Sequence, residues 1–273
     1  MKILVLAISR SRPLDLCATL LGFKRLESGR HEVTYLIRGD EDDKETRELI
    51  TNWWSKFPAN SRFEVGPRPT TLGAAINQAV ANWEMPWDVF MVTPDDIHPL
   101  SPSWDHHIAL AASRDQAGSW RELADPANPT LPFITRHWYD RVGRAMPEWF
   151  PFWFSDVWIG EVFAFAYDKP ITIYPELSWH GTRGRTTNMR DIEFWLEVWI
   201  ATRRERISEA VALNPNLSVE TTDRWTSRFS QNDQWLRDNV LRLQSILGDP
   251  RPPSEQYLMA KAKAEAFLAA QTT

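Results

Sequence analysis

Four short runs in the first 93 residues, three of them almost wholly apolar, limit the possible folds of this chain more than any other feature. Ile3–Ile8, Val33–Ile37, Phe63–Val65 and Val89–Val92 each have strand length, and helix-period segments separate them. The first separator, Leu14–Leu26, carries Leu16, Leu20 and Phe23 at helical spacing, with Gly29 beyond its end. The second, Lys44–Phe57, puts Leu49, Ile50, Trp53 and Trp54 on one inner side. The third opens at Thr71-Leu72-Gly73 and runs to Trp83 with Ile76, Asn77 and Val80. Strands apolar on both faces need cover on both faces, and alternating strands and helices supply it in a parallel sheet. The sequence therefore predicts an α/β fold, a Rossmann-like and mostly parallel sheet flanked by helices. No Gly-x-Gly-x-x-Gly or Walker loop follows a strand, which argues against a dinucleotide or P-loop site.

The fourth run ends in Thr93-Pro94-Asp95-Asp96-Ile97-His98-Pro99. Ligands of parallel sheets bind beyond the carboxyl ends of the strands, where Asp95 and Asp96 fall. Adjacent carboxylates repel unless a proton or cation intervenes. A hard divalent metal carrying phosphate oxygens answers that need, with a solvated Asp-Asp turn as the plain alternative.

Composition narrows the partners. At 273 residues the chain has room for one large α/β domain plus a helical appendage. A net charge of −5 and a pI near 5.7 argue against broad binding to nucleic acid or anionic membrane. The single cysteine, Cys17, allows no internal disulfide and fits a reducing compartment. No apolar run approaches the ~18–20 residues that span a bilayer, and the opening apolar stretch is too short for a signal peptide. A cytoplasmic location is expected. The fifteen tryptophans read mostly as core, though indole faces near the carboxylates would also stack on sugars.

Past Trp104 the periodicity loosens. Ile108–Ala112 reads as helix, Asp115–Pro132 as loop, Phe133–Thr135 as extended and Trp138–Arg144 as a short helix. Met146–Trp158 packs aromatics around a lone acid, Asp156. Ile171–Tyr174 is a late strand, and Trp179-His180-Gly181 leads into Arg183 and Arg185. From Arg190 onward the pattern is helical: Ile192, Trp195, Leu196, Trp199 and Ile200 form one stripe, and Arg203–Arg206 reads as a solvated charged turn. Leu236, Val240, Leu243 and Leu247 form a second stripe, and Ser254 caps a last Ala-rich helix. Residues 1–190 are expected to form the binding and catalytic domain, and 191–273 a helical extension able to mediate self-association.

In order, the chain offers a basic turn (Arg10, Arg12), a strand ending in acids (Asp40, Asp42, Asp43), Gly73 with Asn77, the Pro-Asp-Asp stretch with Trp104, Asp156, and Trp-His-Gly at His180. This order resembles glycosyltransferases of the GT-A fold, most closely the family 2-like nucleotide-sugar enzymes, over about residues 1–195. The resemblance implies that Asp40 or Asp42 holds the nucleobase or ribose, rather than forming a solvated acidic loop. It implies that Arg10 and Arg12 bind diphosphate through planar donor forks, where the alternative is a surface turn. Asn77 would help hold the nucleoside, or else lie on a helix surface. Asp95 and Asp96 resemble the family's Asp-x-Asp motif, compressed here to Pro-Asp-Asp. They would hold Mn²⁺ or Mg²⁺ with His180 completing the set, and Asp95 would also touch the nucleotide. Asp156 would be the general base of an inverting transfer, with a helix N-cap as its alternative role.

The implied substrates are a nucleotide-diphosphate sugar, UDP favoured over GDP, and a glycan, lipid-linked or other hydroxyl acceptor. Competing readings are a nucleotide-sugar hydrolase, a nucleotidyltransferase, and a nucleotide- or carbohydrate-binding protein without chemistry. Ser-Arg-Ser-Arg-Pro lacks the glycine-rich loop a nucleotidyltransferase uses for a triphosphate. Binding alone needs no base. Glucosylation of DNA is disfavoured because no basic groove is evident.

Overall fold

All four runs are strands, and they pair in parallel in the order β3-β2-β1-β4. These are β1 (Lys2–Ile8), β2 (Glu32–Asp40), β3 (Ser61–Gly66) and β4 (Val89–Thr93). Helices α1 (Pro13–Arg25), α2 (Lys44–Trp53) and α3 (Leu72–Ala81) connect them, as the periodicity predicts. This computed structural model describes residues 1–123, 129–151, 154–181, 190–247 and 253–271.

The sheet continues with antiparallel and parallel pairs to eight strands, β3-β2-β1-β4-β7-β6-β8-β5. The added strands are β5 (Ile97–Pro99), β6 (Ala117–Glu122), β7 (Leu131–Thr135) and β8 (Ile173–Gly181), with helices α4 (Trp104–Ala112) and α5 (Arg136–Val142) between them. The α/β fold with a parallel Rossmann-like half is thus present. Leu4 and Leu6 are as fully buried as Ile3, Val5 and Ala7, so both faces of β1 are covered. One layer joins Ile3, Val5, Tyr35, Ile37 and Met91 to Leu16, Leu20 and Phe23 of α1 and Trp104 and Ile108 of α4. Trp104 satisfies its indole N–H on the Phe23 carbonyl at 2.9 Å, which lets the largest side chain enter the core without an orphaned donor.

Several sequence expectations need correction. Asp115–Pro132 is not all loop, because β6 lies inside it. Gly118, which reads as a turn former, is a packing glycine: a Cβ there would stand 2.6 Å from the rings of Phe133 and Tyr174. β8 runs well beyond Tyr174, and a register shift against β6 between Trp120 and Arg121 lets Pro175, Glu176 and Leu177 pass without breaking the strand. Trp53 and Trp54 do not face inward; they are 47 % and 42 % exposed, since α2 ends and tightens into a 3₁₀ turn, Trp54–Lys56. Among the described residues no helix is long and apolar enough to cross a membrane.

The chain forms two compact units. The first comprises Met1–Arg68, Ala75–Ala145 and the segment of β8; the second comprises Pro69–Ala74, Met146–Pro170 and the helices from residue 190 onward. In the second lie α6 (Ser155–Tyr167), α7 (Ile192–Ala201), α8 (Arg203–Leu213), α9 (Val219–Leu247) and α10 (Glu255–Gln271). Gly73 belongs to this unit because of close approach: a Cβ would meet the Pro147 carbonyl oxygen at 1.8 Å. Ser254 caps α10 as expected, accepting the Tyr257 N–H at 3.2 Å.

Arg203–Arg206 is not a solvated turn but the first turn of α8, and Arg206 is completely buried. Its Nε donates to Glu161 Oε2 at 2.7 Å, its Nη2 to the Trp199 carbonyl at 2.8 Å, and its guanidinium lies 3.7 Å from the Trp199 ring centroid. Burial pulls the Arg206 pKa down to about 10 and pushes Glu161 up, so each charge depends on the other. Arg206→Met is expected to cost ~3–5 kcal/mol by stranding the Glu161 carboxylate. The double variant Arg206→Met with Glu161→Leu should recover most of that loss in denaturant unfolding; equal instability of single and double variants contradicts the pairing.

Candidate functional site

The strand order reverses beside β1: the chain moves outward through β2 and β3, then returns to place β4 on the other side. Open α/β sheets bind ligands in the crevice at such a switch point, beyond the strand carboxyl ends. Here those ends are the turn Ser9–Arg12 after β1 and the Asp95-Asp96 pair after β4. The parallel register, with Ala7 opposite Thr93, brings them level.

Asp95 is fixed from three directions. Ser9 Oγ donates to its Oδ2 at 2.7 Å, Thr19 Oγ1 lies 3.0 Å from its carbonyl oxygen, and Arg12 Nη1 stands 3.4 Å from Oδ1. Thr19 also meets the Ile97 carbonyl at 2.9 Å, pinning α1 to the Pro-Asp-Asp turn. Asp95 is 7 % exposed, and burial raises its pKa against the opposing pull of Ser9 and Arg12. Asp96 is more open and accepts from Arg12 Nη1 at 2.8 Å. One guanidinium nitrogen therefore faces both carboxylates, the charge compensation two adjacent acids require.

Arg10 takes the other acid group. Its Nη1 donates to Asp40 at 2.9 Å and to Asp42 at 2.6 Å, and its Nη2 completes a fork on Asp42 at 2.8 Å. Arg68 approaches Asp40 at 4.0 Å. The Arg10 guanidinium holds the Asp42 carboxyl below its usual range. Between the two arginines Ser11 takes a left-handed conformation, φ 57°, and its N–H lies 2.8 Å from Asp43 Oδ2. The same Asp43 caps α2 by accepting the Thr46 N–H at 3.2 Å. This held backbone sends Arg10 toward the end of β2 and Arg12 toward the end of β4.

Six of the sequence-predicted residues, Arg10, Arg12, Asp40, Asp42, Asp95 and Asp96, thus form one charged cluster. Asn77 sits on α3, where its Oδ1 accepts the Ala145 N–H at 3.0 Å. The backbone of His180 pairs antiparallel with His98, two residues past Asp96; its side chain, like Arg183 and Arg185, lies outside the described residues. Among the described residues, no three His, Cys, Asp or Glu side chains converge as a metal cage.

Asp156 lies in the second unit, in the first turn of α6 rather than at its N-cap, which is Phe154. Its Oδ1 accepts the Val157 N–H at 2.9 Å, and burial pushes its pKa up to about 6. The aromatics flanking it pack on one another: Phe154 stacks on Trp199 at 5.0 Å and Phe150 meets Trp158 at 6.3 Å. Phe152 and Trp153 lie outside the described residues.

Sequence reading missed Ser9, Thr19, Arg38 and Arg68. Arg38, 2 % exposed, donates to the carbonyls of Gly39, Gly66 and Pro67 and so ties together the ends of β2 and β3 near Asp40. A Cβ on Gly66 would lie 2.6 Å from that guanidinium, which explains the glycine. Two signals were available: a cation ending a core strand, and a Thr among Leu16, Leu20 and Phe23 on the inner face of α1.

The fold is that of GT-A-type nucleotide-sugar glycosyltransferases. It is similar to S. aureus TarS, residues 1–349, in complex with UDP-GlcNAc, with a TM-score of 0.66 and 11 % identity over 97 % of this chain and 79 % of that one. The UDP complex of the same protein gives 0.61 and 11 % over 84 % and 70 %. The mannosyltransferase PcManGT from Pyrobaculum calidifontis, in complex with GDP-Man and Mn²⁺, gives 0.58 and 12 % over 99 % and 79 %. No family model and no curated protein matches the sequence.

Arg10→Ala is expected to return the Asp42 pKa to the ordinary range in an NMR titration. A lowered carboxyl pKa stabilises above the unfolded value of 3.8 and is lost as pH falls through the folded one. The stability difference between wild type and Arg10→Ala, under about 1 kcal/mol for so open a pair, should therefore shrink in acid; a difference that grows in acid contradicts the pairing.

Proposed function

We propose that the chain is a metal-dependent glycosyltransferase that moves a sugar from a nucleotide diphosphate to an acceptor hydroxyl. The observation that carries this reading is the cluster of two arginines and four acids at the β1/β4 switch point of a sheet whose structural neighbours were solved with nucleotide sugars. UDP is the favoured nucleotide, since the neighbour of higher TM-score holds UDP-GlcNAc. The acceptor is a glycan, lipid-linked or other hydroxyl, and the reaction is assigned to the cytoplasm. Residues 1–190 carry the donor chemistry, and 191–273 form an extension through which copies associate.

Asp95 and Asp96 fit Mn²⁺ or Mg²⁺: both are hard oxygen donors, and both already turn toward one positive nitrogen. Bound there with His180, the cation would neutralise the leaving nucleoside diphosphate. Asp95, held by Ser9 and Thr19, is the rigid half of the pair, and its second function is to meet the nucleotide. Asp40 and Asp42 accept hydrogen bonds from base or ribose, Arg10 orients them and lends its positive charge to the diphosphate, and Asn77 supports the nucleoside. Asp156 takes the proton of the acceptor hydroxyl, which attacks the anomeric carbon from the face opposite the leaving group and inverts it. A base of pKa about 6 is ionised at neutral pH yet still basic enough to receive that proton. A binding module without chemistry gives no use for this raised carboxyl.

Calorimetry with UDP, GDP and their sugar conjugates tests the donor site. Wild type is expected to bind one nucleotide with Mn²⁺ and to lose it with EDTA or in Asp96→Ala. No nucleotide binding by folded protein overturns the reading. For the base, kcat/KM should rise with pH through a limb near 6, and Asp156→Asn should lower kcat by ~10²–10⁴. A profile flat from pH 5 to 8, or full activity in Asp156→Asn, removes Asp156 from the reaction.

A further inference from the structure

We propose that Arg12 and a divalent cation are alternative partners of the Asp95–Asp96 pair, and that Arg12 passes from these carboxylates to the donor diphosphate when the cation is taken up. This rests on the transferase reading above and adds an exchange step to it.

The cluster contains one fixed side and one movable side. Asp95 cannot retreat, because Ser9 bonds its carboxylate at 2.7 Å and Thr19 holds its carbonyl at 3.0 Å. Arg10 is anchored by a two-pronged bond to Asp42 and a further bond to Asp40. Arg12 differs in its bonding: among the described residues its ion pairs, to Asp96 at 2.8 Å and Asp95 at 3.4 Å, both run through a single nitrogen. It occupies the N-cap position of α1 without a side-chain cap bond, followed by Pro13. Ser11 before it is held through Asp43 and Thr46. The backbone on both sides is thus fixed, and the guanidinium is free to swing by side-chain rotation alone.

A guanidinium and a divalent cation repel each other, so both cannot sit between the same two carboxylates. Uptake of the cation releases Arg12 as a planar fork at the mouth of the site, the geometry that suits a phosphate. The free protein therefore holds bare metal weakly, because its carboxylates already have a counter-ion. Cation and nucleotide together bind well, because Arg12 gains a new partner as it loses the old one.

This makes Arg12 a positioning residue with opposite effects on two ligands, which a purely structural role does not produce. Free Mn²⁺ is measured by electron paramagnetic resonance, first without nucleotide and then with UDP or GDP, using the full chain. Arg12→Ala should bind Mn²⁺ alone more tightly than wild type, on the order of tenfold, and bind nucleotide at saturating Mn²⁺ on the order of tenfold more weakly. Adding Asp96→Asn to Arg12→Ala should erase the gain, which locates it at this pair. Arg12→Gln, which keeps most of the length without the charge, gives the same reading if the alanine variant fails to fold.

Equal or weaker Mn²⁺ binding in the folded Arg12 variants overturns the exchange. Metal-dependent nucleotide binding by wild type would then leave the transferase reading standing. Nucleotide binding that needs no metal overturns the exchange as well, and makes Arg12 a permanent counter-ion. Loss of all nucleotide binding in wild type overturns both.

Discussion

Two adjacent carboxylates at the end of a core strand need a positive charge, and the local structure around β1 and β4 follows from that need. Asp95 is nearly buried, and Ser9, Thr19 and Arg12 are the groups that make its burial tolerable. Each comes from a different place: the end of β1, the inner face of α1, and the turn that joins them. The parallel register of β1 and β4 brings these groups level with Asp95. A shift of one residue would turn every side chain of one strand to the opposite face and take the cluster apart. Charge compensation and sheet register are therefore one constraint seen at two scales.

The arginines divide the work. A left-handed Ser11, held by the carboxylate that also caps α2, separates them and aims them at different strand ends. Arg10 with Asp40, Asp42 and Arg68 makes a forked acidic-basic ledge, while Arg12 meets Asp95 and Asp96 through one nitrogen. The helical unit solves a related problem without solvent: Arg206 and Glu161 neutralise each other beside the rings of Trp158 and Trp199, where neither would remain charged alone. The same unit raises the Asp156 carboxyl to a pKa near 6 by burial, with no cation partner among the described residues.

Much of the first sheet was legible because β1, β2 and β4 are apolar on both faces and the helices between the strands keep a clean period. The acids and arginines of the cluster were legible because each sits at the end of such a run. Later segments were harder for definite reasons. β6 hides a packing glycine that reads as a turn, and β8 carries a proline across a register shift. Arg206 looks like one charge in a solvated run until α6 and α7 close over it. Ser9 and Thr19 escaped because a hydroxyl bonded across 86 or 76 residues of chain leaves no periodic trace. Local pattern shows what a segment prefers, whereas a polar contact between distant segments appears only once the sheet is assembled.

Crystals grown with Mn²⁺ and UDP or GDP, with the metal located by its anomalous scattering, would place cation, nucleotide and Arg12 in one structure. The account predicts a Mn²⁺ peak bonded to a carboxylate oxygen of Asp95 or Asp96. It also predicts the nucleotide over the ends of β1 and β4, and Arg12 turned from the acids to the diphosphate. Nucleotide and metal bound elsewhere, with Arg12 still seated on both carboxylates, would contradict it.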